Sequence, residues 1–329
     1  RMKGIAKSYH EIRPSENVNP DNATFVAPIM FELNGLGELQ REVFGPVLHV
    51  VRYPADGLDK LIDQINGKGY ALTHGVHSRI DGTVEHIRSR IESGNVYVNR
   101  NIVGAVVGVQ PFGGHGLSGT GPKAGGSFYL QRLSRLKEWT APTLSKIGQV
   151  DEDALKRLET LLHGLPLPQS EKMAAAASLG QSRVRTLRKA ESVLAGPTGE
   201  RNVLSWHAPA RVWLYGGSLA ASFTALVSLA SAGVQAVVLP DHPLAAYADR
   251  LDGLLAVTDK PEAAGISHVA ALEPLPSARK QVLANRDGAL VRILPSENGL
   301  DILQVFEEIS CSINTTAAGG NASLMAMAD

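Results

Sequence analysis

A carboxylate and an aromatic ring stand just before a predicted strand in REVFGPV, residues 41–47. Glu42 and Phe44 precede a Gly-Pro turn and the apolar run VLHVVRY. A carboxylate accepts hydrogen bonds from two neighbouring ribose hydroxyls, and a ring covers one face of a flat heterocycle. The same spacing is also typical of a turn with an exposed glutamate and a core phenylalanine. The pattern by itself leaves both interpretations open.

Three glycines recur at a dinucleotide-like spacing in GGHGLSGTG, residues 113–121. Gly114, Gly116 and Gly119 satisfy G-x-G-x-x-G, but that fingerprint also needs a strand directly before it and a helix opening within it. Here QPF precedes the glycines and PKAGG follows them, so the helix is missing. We interpret the glycines as an irregular loop whose backbone amides approach a ligand closely.

Cys311 is the only cysteine, and therefore the only candidate for a thiol nucleophile in this chain. It follows the apolar run ILQVFEEI, and no glutamate–histidine arrangement around it supports activation. We interpret it as a buried and inert thiol. The ten histidines show no zinc-ligand spacing, so we predict no metal site.

Composition narrows the class of protein. The 329 residues are 44% hydrophobic and 19% charged, which predicts a globular chain of about two domains. Lysine plus arginine equals aspartate plus glutamate, at 32 each, so no net field attracts nucleic acid or anionic lipid. One cysteine and the lack of a signal-like start favour a cytoplasmic location.

An uncharged stretch from residue 212 to 240 is long enough to span a bilayer. Glycines and serines interrupt it, and it divides better into a strand, a helix and a second strand. The helix would place Leu219, Phe223, Leu226, Val227 and Ala230 on one face. We therefore predict a βαβ unit here and not a membrane segment.

The wider pattern predicts an α/β fold in three parts. Strands (ATFVAPIMFEL, GPVLHVVRYP, GNVYVNR) and helices (GLDKLIDQINGK, DGTVEHIRSRIES) alternate over residues 1–145. Residues 146–195 are amphipathic, charged and helix-forming, which predicts a helical connector. After GPTGERN the α/β rhythm returns over residues 196–329, as in a nucleotide-binding sheet.

Three stretches together resemble the C-terminal part of the aldehyde dehydrogenase superfamily: REVFGPVLHVVRY, INGKGYALTHGVHSR and ESGNVYVNRNIVGAVVGVQPFGGHGLSGTGPKAGG. They are most similar to the glutamate-γ-semialdehyde (Δ1-pyrroline-5-carboxylate) dehydrogenase module of bifunctional proline utilization A proteins. The resemblance is dense over residues 20–140. GPTGERN and SINTTAAGGNASL also resemble the C-terminal domain and terminal motif of the longer members. An aldehyde dehydrogenase-like portion, a connector and a noncatalytic, Rossmann-like domain are implied.

The resemblance implies a partial NAD site. Glu42 matches the family glutamate that holds the nicotinamide ribose of NAD, and Phe44 matches the ring beside it. The catalytic cysteine, the general base and the NAD-binding strand–loop–helix of the family should lie upstream of REVFGPV, and none of the 41 residues before Glu42 is a cysteine. We therefore expect no catalytic residue in this chain and no activity from it alone. A flavin, FAD, is expected only in a preceding proline dehydrogenase domain.

The resemblance also implies a substrate loop. Gly104 and Ala105 match the backbone amides that hold the α-carboxylate of the substrate, glutamate semialdehyde. Phe112 matches the aromatic residue that lines the aldehyde pocket. Ser118 lies in the same loop, and its alternative role is to stabilise the turn. Small residues suit the task because two amides must meet one anion without intervening side chains.

The implied function is NAD-dependent oxidation of glutamate γ-semialdehyde to glutamate, within a bifunctional proline-catabolic enzyme. The alternatives are a portion of a monofunctional aldehyde dehydrogenase and a non-enzymatic assembly module. Expected partners are the upstream enzyme and other copies, bound through a flap, with peripheral membrane contact of the full protein.

The composition of the terminal motif SINTTAAGGNASL favours an extended strand that turns and lies close to another backbone. Our hypothesis is that the second domain imitates a partner subunit and that residues 313–329 cover the cavity between two active sites. A disordered terminus is the alternative.

Overall fold

The structure is a computed structural model, and it describes residues 2–12, 26–134, 139–182 and 186–316. Within these ranges the strands are β1 (Ser8–Glu11), β2 (Ile29–Leu33), β3 (Val47–Val51), β4 (Tyr70–Ala71), β5 (Thr73–Val76), β6 (Asn95–Val98), β7 (His115–Gly116), β8 (Glu191–Leu194), β9 (Glu200–His207), β10 (Arg211–Tyr215), β11 (Gln235–Val238), β12 (Leu255–Val257), β13 (His268–Ala271), β14 (Arg292–Pro295) and β15 (Glu307–Asn314).

The helices of the same ranges are α1 (Leu58–Asn66), α2 (Asp81–Arg90), α3 (Tyr129–Leu133), α4 (Glu152–Gly164), α5 (Gln169–Ser182), α6 (Leu219–Ser231) and α7 (Ser277–Asn285). By compactness the described residues form two units. The first runs up to residue 70 and includes 85–92, and the second comprises 71–84 and everything from 93 onward. The predicted three-part division at 145 and 195 stays a prediction beside this one.

The first unit contains a three-stranded sheet in the order β1-β2-β3. Strand β2 pairs antiparallel with β1 and parallel with β3, and its buried Phe31 stacks 6.0 Å from the His49 ring. Arg90 at the end of α2 binds Asp59 and Asp63 of α1. The sheet leads directly out of the stretch that holds Glu42 and Phe44.

The second unit contains a five-stranded parallel sheet in the order β12-β11-β10-β13-β14. Its strands bury both faces, as parallel sheets do. In β10, Val212 and Leu214 join the core under α4, α5 and α6, whereas Trp213 joins a second core under α7. This sheet confirms the predicted βαβ unit and the Rossmann-like order of the second domain.

The α6 helix begins where the sequence places its start. Ser218 is the N-cap, and its side-chain oxygen accepts a hydrogen bond from the Ala221 amide at 3.3 Å. Phe223, Leu226, Val227 and Ala230 are fully buried, as the predicted apolar face requires. The 212–240 stretch is therefore a strand, a helix and a strand, and none of the described helices is long and apolar enough to cross a membrane.

A second five-stranded sheet has the order β5-β6-β15-β9-β8. Strand β15 is its centre, parallel to β6 and antiparallel to β9. Residues from the two ends of the second unit therefore share one ladder. The sequence indicated an extended strand near Ser312 but gave no sign of which strands would be its neighbours.

Residues 146–195, predicted as a helical connector, contain the helices α4 and α5, but the last element among them is a strand and not a helix. Residues 191–194 form β8, which pairs antiparallel with β9, and Lys146 bridges to Glu191 on the other side. The segment ESVL is too short to sustain a helix by itself, and pairing with β9 decides its conformation.

Candidate functional site

The candidate substrate loop starts where β6 ends, at Asn99. This residue has a positive φ of 55°, which asparagine tolerates better than most side chains. Its side chain accepts from the Ser78 amide at 3.1 Å and donates to the Ser78 carbonyl at 3.0 Å. The first residue of the loop is therefore held in place by both backbone groups of Ser78.

Gly104 and Ala105 lie between two amides that are already engaged. The Val103 amide donates to Asn101 Oδ1 at 3.2 Å, and the Val106 amide donates to Gln110 Oε1 at 3.0 Å. Among the described residues, no group accepts a hydrogen bond from the amides of Gly104 or Ala105. Two half-buried amides with unused donors are what a carboxylate requires.

Phe112 is held by a two-stranded bridge. It exchanges both backbone hydrogen bonds with Ala124, at 3.0 and 2.8 Å. Ser118 has a different role, because its Oγ accepts from the Ala71 amide at 3.0 Å. This contact supports the alternative that Ser118 stabilises the turn. Between residues 113 and 128 the structure contains only the two-residue β7 and irregular backbone, so the glycine-rich stretch opens no helix.

Gln110 was not identified from the sequence, yet it connects the loop to two later strands. It is 4% exposed, and its Nε2 donates to Glu200 Oε1 at 2.6 Å and to Ser312 Oγ at 3.1 Å. A lone glutamine in an irregular loop carries no local signal of such contacts. Only the sheet that brings β9 and β15 together creates them.

Lys123 was also missed. Its buried Nζ donates to Asn95 Oδ1 at 3.0 Å and to the Gly113 carbonyl at 2.5 Å. Gly113 directly follows Phe112 in the chain. Burial lowers the pKa of the Lys123 ammonium to about 7, although Glu308 and Glu307 oppose the shift. Burial also raises the pKa of the Glu308 carboxyl, against the hydrogen bonds that it accepts from backbone amides.

Glu42 and Phe44 lie in the first unit, between a 3₁₀ turn at Leu36–Glu38 and β3. Both side chains are exposed, and Phe44 is 89% exposed. The alternative of a core phenylalanine is therefore not what the structure contains. An open carboxylate with an open ring two residues away suits a nucleoside.

Parts of the chain are similar to known proteins. The family model for the aldehyde dehydrogenase family matches residues 4–139. The chain is similar to this family over those residues. The bifunctional protein PutA of Rhizobium meliloti is 40% identical over 344 residues, which cover 99% of this chain and 27% of that protein. A 1-pyrroline-5-carboxylate dehydrogenase of Geobacillus sp. is 44% identical over 92 residues, which cover 28% of this chain and 18% of that protein.

The aldehyde dehydrogenase segment is thus followed by residues that also align with PutA. The chain spans about a quarter of the length of the PutA proteins that it matches. A solved structure of proline utilization A from Corynebacterium freiburgense aligns with a TM-score of 0.66 at 21% identity, over 95% of this chain and 30% of that one. This likeness confirms the predicted fold class.

In the second unit, the order of the parallel sheet reverses between β10 and β13. Nucleotides bind at such reversal points in many α/β proteins. Here Glu273 Oε1 accepts from the Gly217 amide at 3.0 Å, so one of the chain's own carboxylates lies at the start of α6. This reversal point therefore carries no argument for a second nucleotide.

His242 lies beside Ser222, and its Nε2 is 3.4 Å from the Ser222 Oγ. The Leu244 amide donates to His242 Nδ1 at 3.2 Å, so Nδ1 is the unprotonated nitrogen. Nε2 then carries the proton and donates to the Gly216 carbonyl at 3.2 Å. A histidine in this tautomer cannot accept a proton from Ser222 through Nε2, so the pair does not form a serine nucleophile.

The described ranges contain no group of three or more His, Cys, Asp or Glu side chains placed to hold a metal ion. Cys311 lies in the centre of β15 and is 2% exposed. Its partners on the neighbouring strands are Val96 and Val203.

Proposed function

We propose that the chain is part of a bifunctional proline-catabolic enzyme and contributes to NAD-dependent oxidation of glutamate γ-semialdehyde to glutamate. The observation that carries the proposal is the pair of unused amides at Gly104 and Ala105, in a loop closed by Gln110 and followed by Phe112. The alignment with PutA over 99% of the chain supports the wider assignment.

In this proposal the loop binds and orients the substrate. The amides of Gly104 and Ala105 donate to the α-carboxylate, which fixes one end of the molecule. Phe112 lines the path of the aliphatic part and excludes water from it. The aldehyde carbon is then presented to a cysteine that belongs to the upstream part of the enzyme, as in the family.

Glu42 and Phe44 suit the nicotinamide half of NAD. The Glu42 carboxylate is exposed and can accept from both ribose hydroxyls, and the exposed Phe44 ring can cover a flat surface. When bound, NAD supplies the hydride acceptor of the oxidation. FAD has no residues assigned to it here, and we place it in a preceding domain.

The second domain is proposed to act as an internal substitute for a partner subunit. Its strands β9 and β15 extend a sheet that begins with β5 and β6, which is how a flap from another copy would pair. The Thr315 amide donates to the Gly199 carbonyl at 2.9 Å, so the terminal motif starts against the GPTGERN turn. Of the proposed lid, residues 317–329 lie outside the described residues.

The wider setting is proposed on the same basis. The enzyme would act in the cytoplasm, with the upstream domains as its main partners and self-association through remaining flap surfaces. Peripheral membrane contact is proposed only for the full protein. No nucleic-acid contact is proposed through this region, because its formal net charge is zero.

The test is an assay of the full-length enzyme with glutamate semialdehyde and NAD, beside the chain of 329 residues alone. We expect NADH formation by the full enzyme and none by the chain alone. A full-length enzyme that oxidises simple aldehydes but not glutamate semialdehyde would overturn the substrate assignment. A chain that binds its partners but gains no NAD-dependent turnover in any context would favour the assembly module instead.

A further inference from the structure

Gln110 closes the turn that carries the two anion-binding amides. Its side-chain Oε1 accepts a hydrogen bond from the Val106 amide at 3.0 Å, and its backbone amide donates to the Val106 carbonyl at 2.9 Å. Val106 directly follows Ala105. The side-chain orientation of Gln110 therefore controls where the peptide units on the C-terminal side of Gly104 and Ala105 lie.

The other end of the Gln110 side chain is held by the second domain. Nε2 has two protons and three acceptors within reach, Glu200 Oε1 at 2.6 Å, Ser312 Oγ at 3.1 Å and Asn202 Oδ1 at 3.3 Å. Glu200 and Asn202 belong to β9 and Ser312 belongs to β15. A nitrogen surrounded by oxygens can take only the donor role, which fixes Oε1 toward Val106.

Arg100 gives this cluster its charge balance. Its Nη1 donates to Glu200 Oε2 at 2.7 Å and to Ser312 Oγ at 2.8 Å, and its guanidinium lies 5.2 Å from the Tyr97 ring. Arg100 and Glu200 are each less than one-fifth exposed as side chains. The carboxylate of Glu200 is therefore shared by one cation and two side-chain amides, those of Gln110 and Asn202, and both of its oxygens are used.

The opposite end of the loop is held by the same strand. Glu308 of β15 accepts from the Lys123 amide at 3.1 Å and from the Phe128 amide at 3.3 Å. Gly126 lies so close that a Cβ there would approach Glu308 Oε2 to 2.5 Å. Strand β15 therefore contacts the loop on both sides of Phe112, through Ser312 before it and Glu308 after it.

From these contacts we infer that Gln110, held by Glu200 and Ser312, is a positioning residue that sets the Gly104–Ala105 amides for the substrate carboxylate. The inference rests on the proposed function, which it deepens: the second domain would contribute to selectivity for carboxylate-bearing aldehydes. The rival explanation is that the cluster only stabilises the fold. A stabilising role would affect all aldehydes equally, whereas a positioning role affects only those with a carboxylate to bind.

The experiment compares two substrates in the full-length enzyme, glutamate semialdehyde and butanal, which lacks the carboxylate. Gln110→Leu removes the bond to Val106 and keeps the side-chain volume. We expect kcat/KM for glutamate semialdehyde to fall about tenfold, which corresponds to about 1.4 kcal/mol. The value for butanal should change less than about twofold, and KM for NAD should stay the same.

Milder variants keep the test valid if Gln110→Leu folds poorly. Ser312→Ala removes one acceptor of Gln110. It should reduce the ratio of kcat/KM for glutamate semialdehyde to kcat/KM for butanal about threefold. Glu200→Gln keeps an oxygen for Gln110 and should restore most of what Glu200→Ala loses. Ser310→Ala is the matched control, because Ser310 is also a buried serine of β15, whereas the hydroxyl that contacts Gln110 and Arg100 is that of Ser312.

Calorimetry adds a readout without turnover. Glutamate, the proposed product, should bind the Gln110→Leu enzyme about tenfold more weakly than the parent. Equal losses for both aldehydes, or no loss for either, would overturn the positioning role while the parent's activity upheld the proposed function. A parent enzyme inactive on glutamate semialdehyde would overturn the proposed function, and this inference with it.

Discussion

Cys311 lies directly opposite Val96 in a parallel pair of strands, and both side chains are almost completely buried. On its other side Cys311 faces Val203 of β9. A side chain that is only 2% exposed has no open path to a substrate. The position of this thiol is therefore explained by packing, which matches its interpretation from the sequence.

Replacing Cys311 should affect stability and not chemistry. We expect Cys311→Ser to lower the free energy of unfolding by about 1–2 kcal/mol, because a hydroxyl replaces a buried thiol. Turnover in the full-length enzyme should stay at the parent value. Urea unfolding and an NADH assay measure the two effects separately. Any NAD-dependent turnover of the isolated chain that vanished in this variant would show that the thiol is catalytic after all.

Replacing Glu42 should weaken the binding of NAD and leave the aldehyde site intact. In the full-length enzyme, Glu42→Ala should cost roughly 1.5–3 kcal/mol of cofactor binding, since a carboxylate loses its hydrogen bonds to a diol. The measurement is KM for NAD at saturating aldehyde. Glu38→Ala is a suitable control, because that nearby carboxylate binds Asn34 in the same unit. An unchanged KM for NAD would remove Glu42 from the cofactor site.

His268 should make the chain less stable in acid. Its side chain is fully buried, and burial together with Arg292 lowers its pKa from 6.5 to about 3. The unfolded state binds the proton more tightly in this window, so stability is present above pH 6.5 and is lost as pH falls toward 3. Between pH 7 and pH 5 the loss should be about 2 kcal/mol.

The variant His268→Gln isolates this contribution. His115 and His242 also have lowered pKa values because they are buried, so the parent retains other sources of acid sensitivity. The quantity to compare is therefore the difference in unfolding free energy between pH 7 and pH 5, in parent and variant. A variant with the same difference as the parent would contradict the assignment.

Glu308 should be among the most sensitive positions for stability. Glu308→Ala leaves the amides of Lys123 and Phe128 without their acceptor, and each buried unpaired group costs about 1–3 kcal/mol. Glu308→Gln retains one oxygen and should lose about half as much. Glu297→Ala, at an exposed glutamate, should change the free energy of unfolding by less than about 0.5 kcal/mol. Similar values for all three variants would show that the carboxylate does not hold the loop.

Truncation after Thr316 tests the proposed lid without shortening β15. The full-length enzyme should convert proline to glutamate more slowly and show a longer lag before NADH appears, while proline oxidation stays near normal. The control is Asn314→Ala, which alters a side chain that accepts from Thr316 but keeps the tail. An unchanged lag would mean that the tail is only a terminus.

Local patterns predicted the local elements well. The apolar face of α6 and the two apolar runs beside it gave a strand, a helix and a strand at the places where the structure has them. The helix predicted in DEDALKRLETLLHGL is α4, and Asp151 caps it by accepting from the Ala154 amide at 3.1 Å. Each of these signals comes from residues that are close together in the sequence, so the sequence alone is enough to predict the element.

The contacts that matter for the site could not be predicted in the same way. Arg100 and Ser312 are 212 positions apart, and nothing near either residue indicates the other. In the sequence, Gln110, Lys123 and Glu308 look like ordinary polar residues. Their contacts form only in the folded protein, where β15 lies beside the loop. The roles of Glu42, Phe44, Gly104, Ala105 and Phe112 came from the family resemblance and stay predictions.

The central position of β15 has a consequence for how the chain folds during synthesis. Both of its neighbours, β6 and β9, leave the ribosome before it and present unpaired edges until it arrives. Their pairing has a very high contact order, so it should be a late and slow event. A nascent chain paused before residue 307 would therefore carry two unpaired strand edges that can aggregate. It would depend on chaperones until β15 is synthesised.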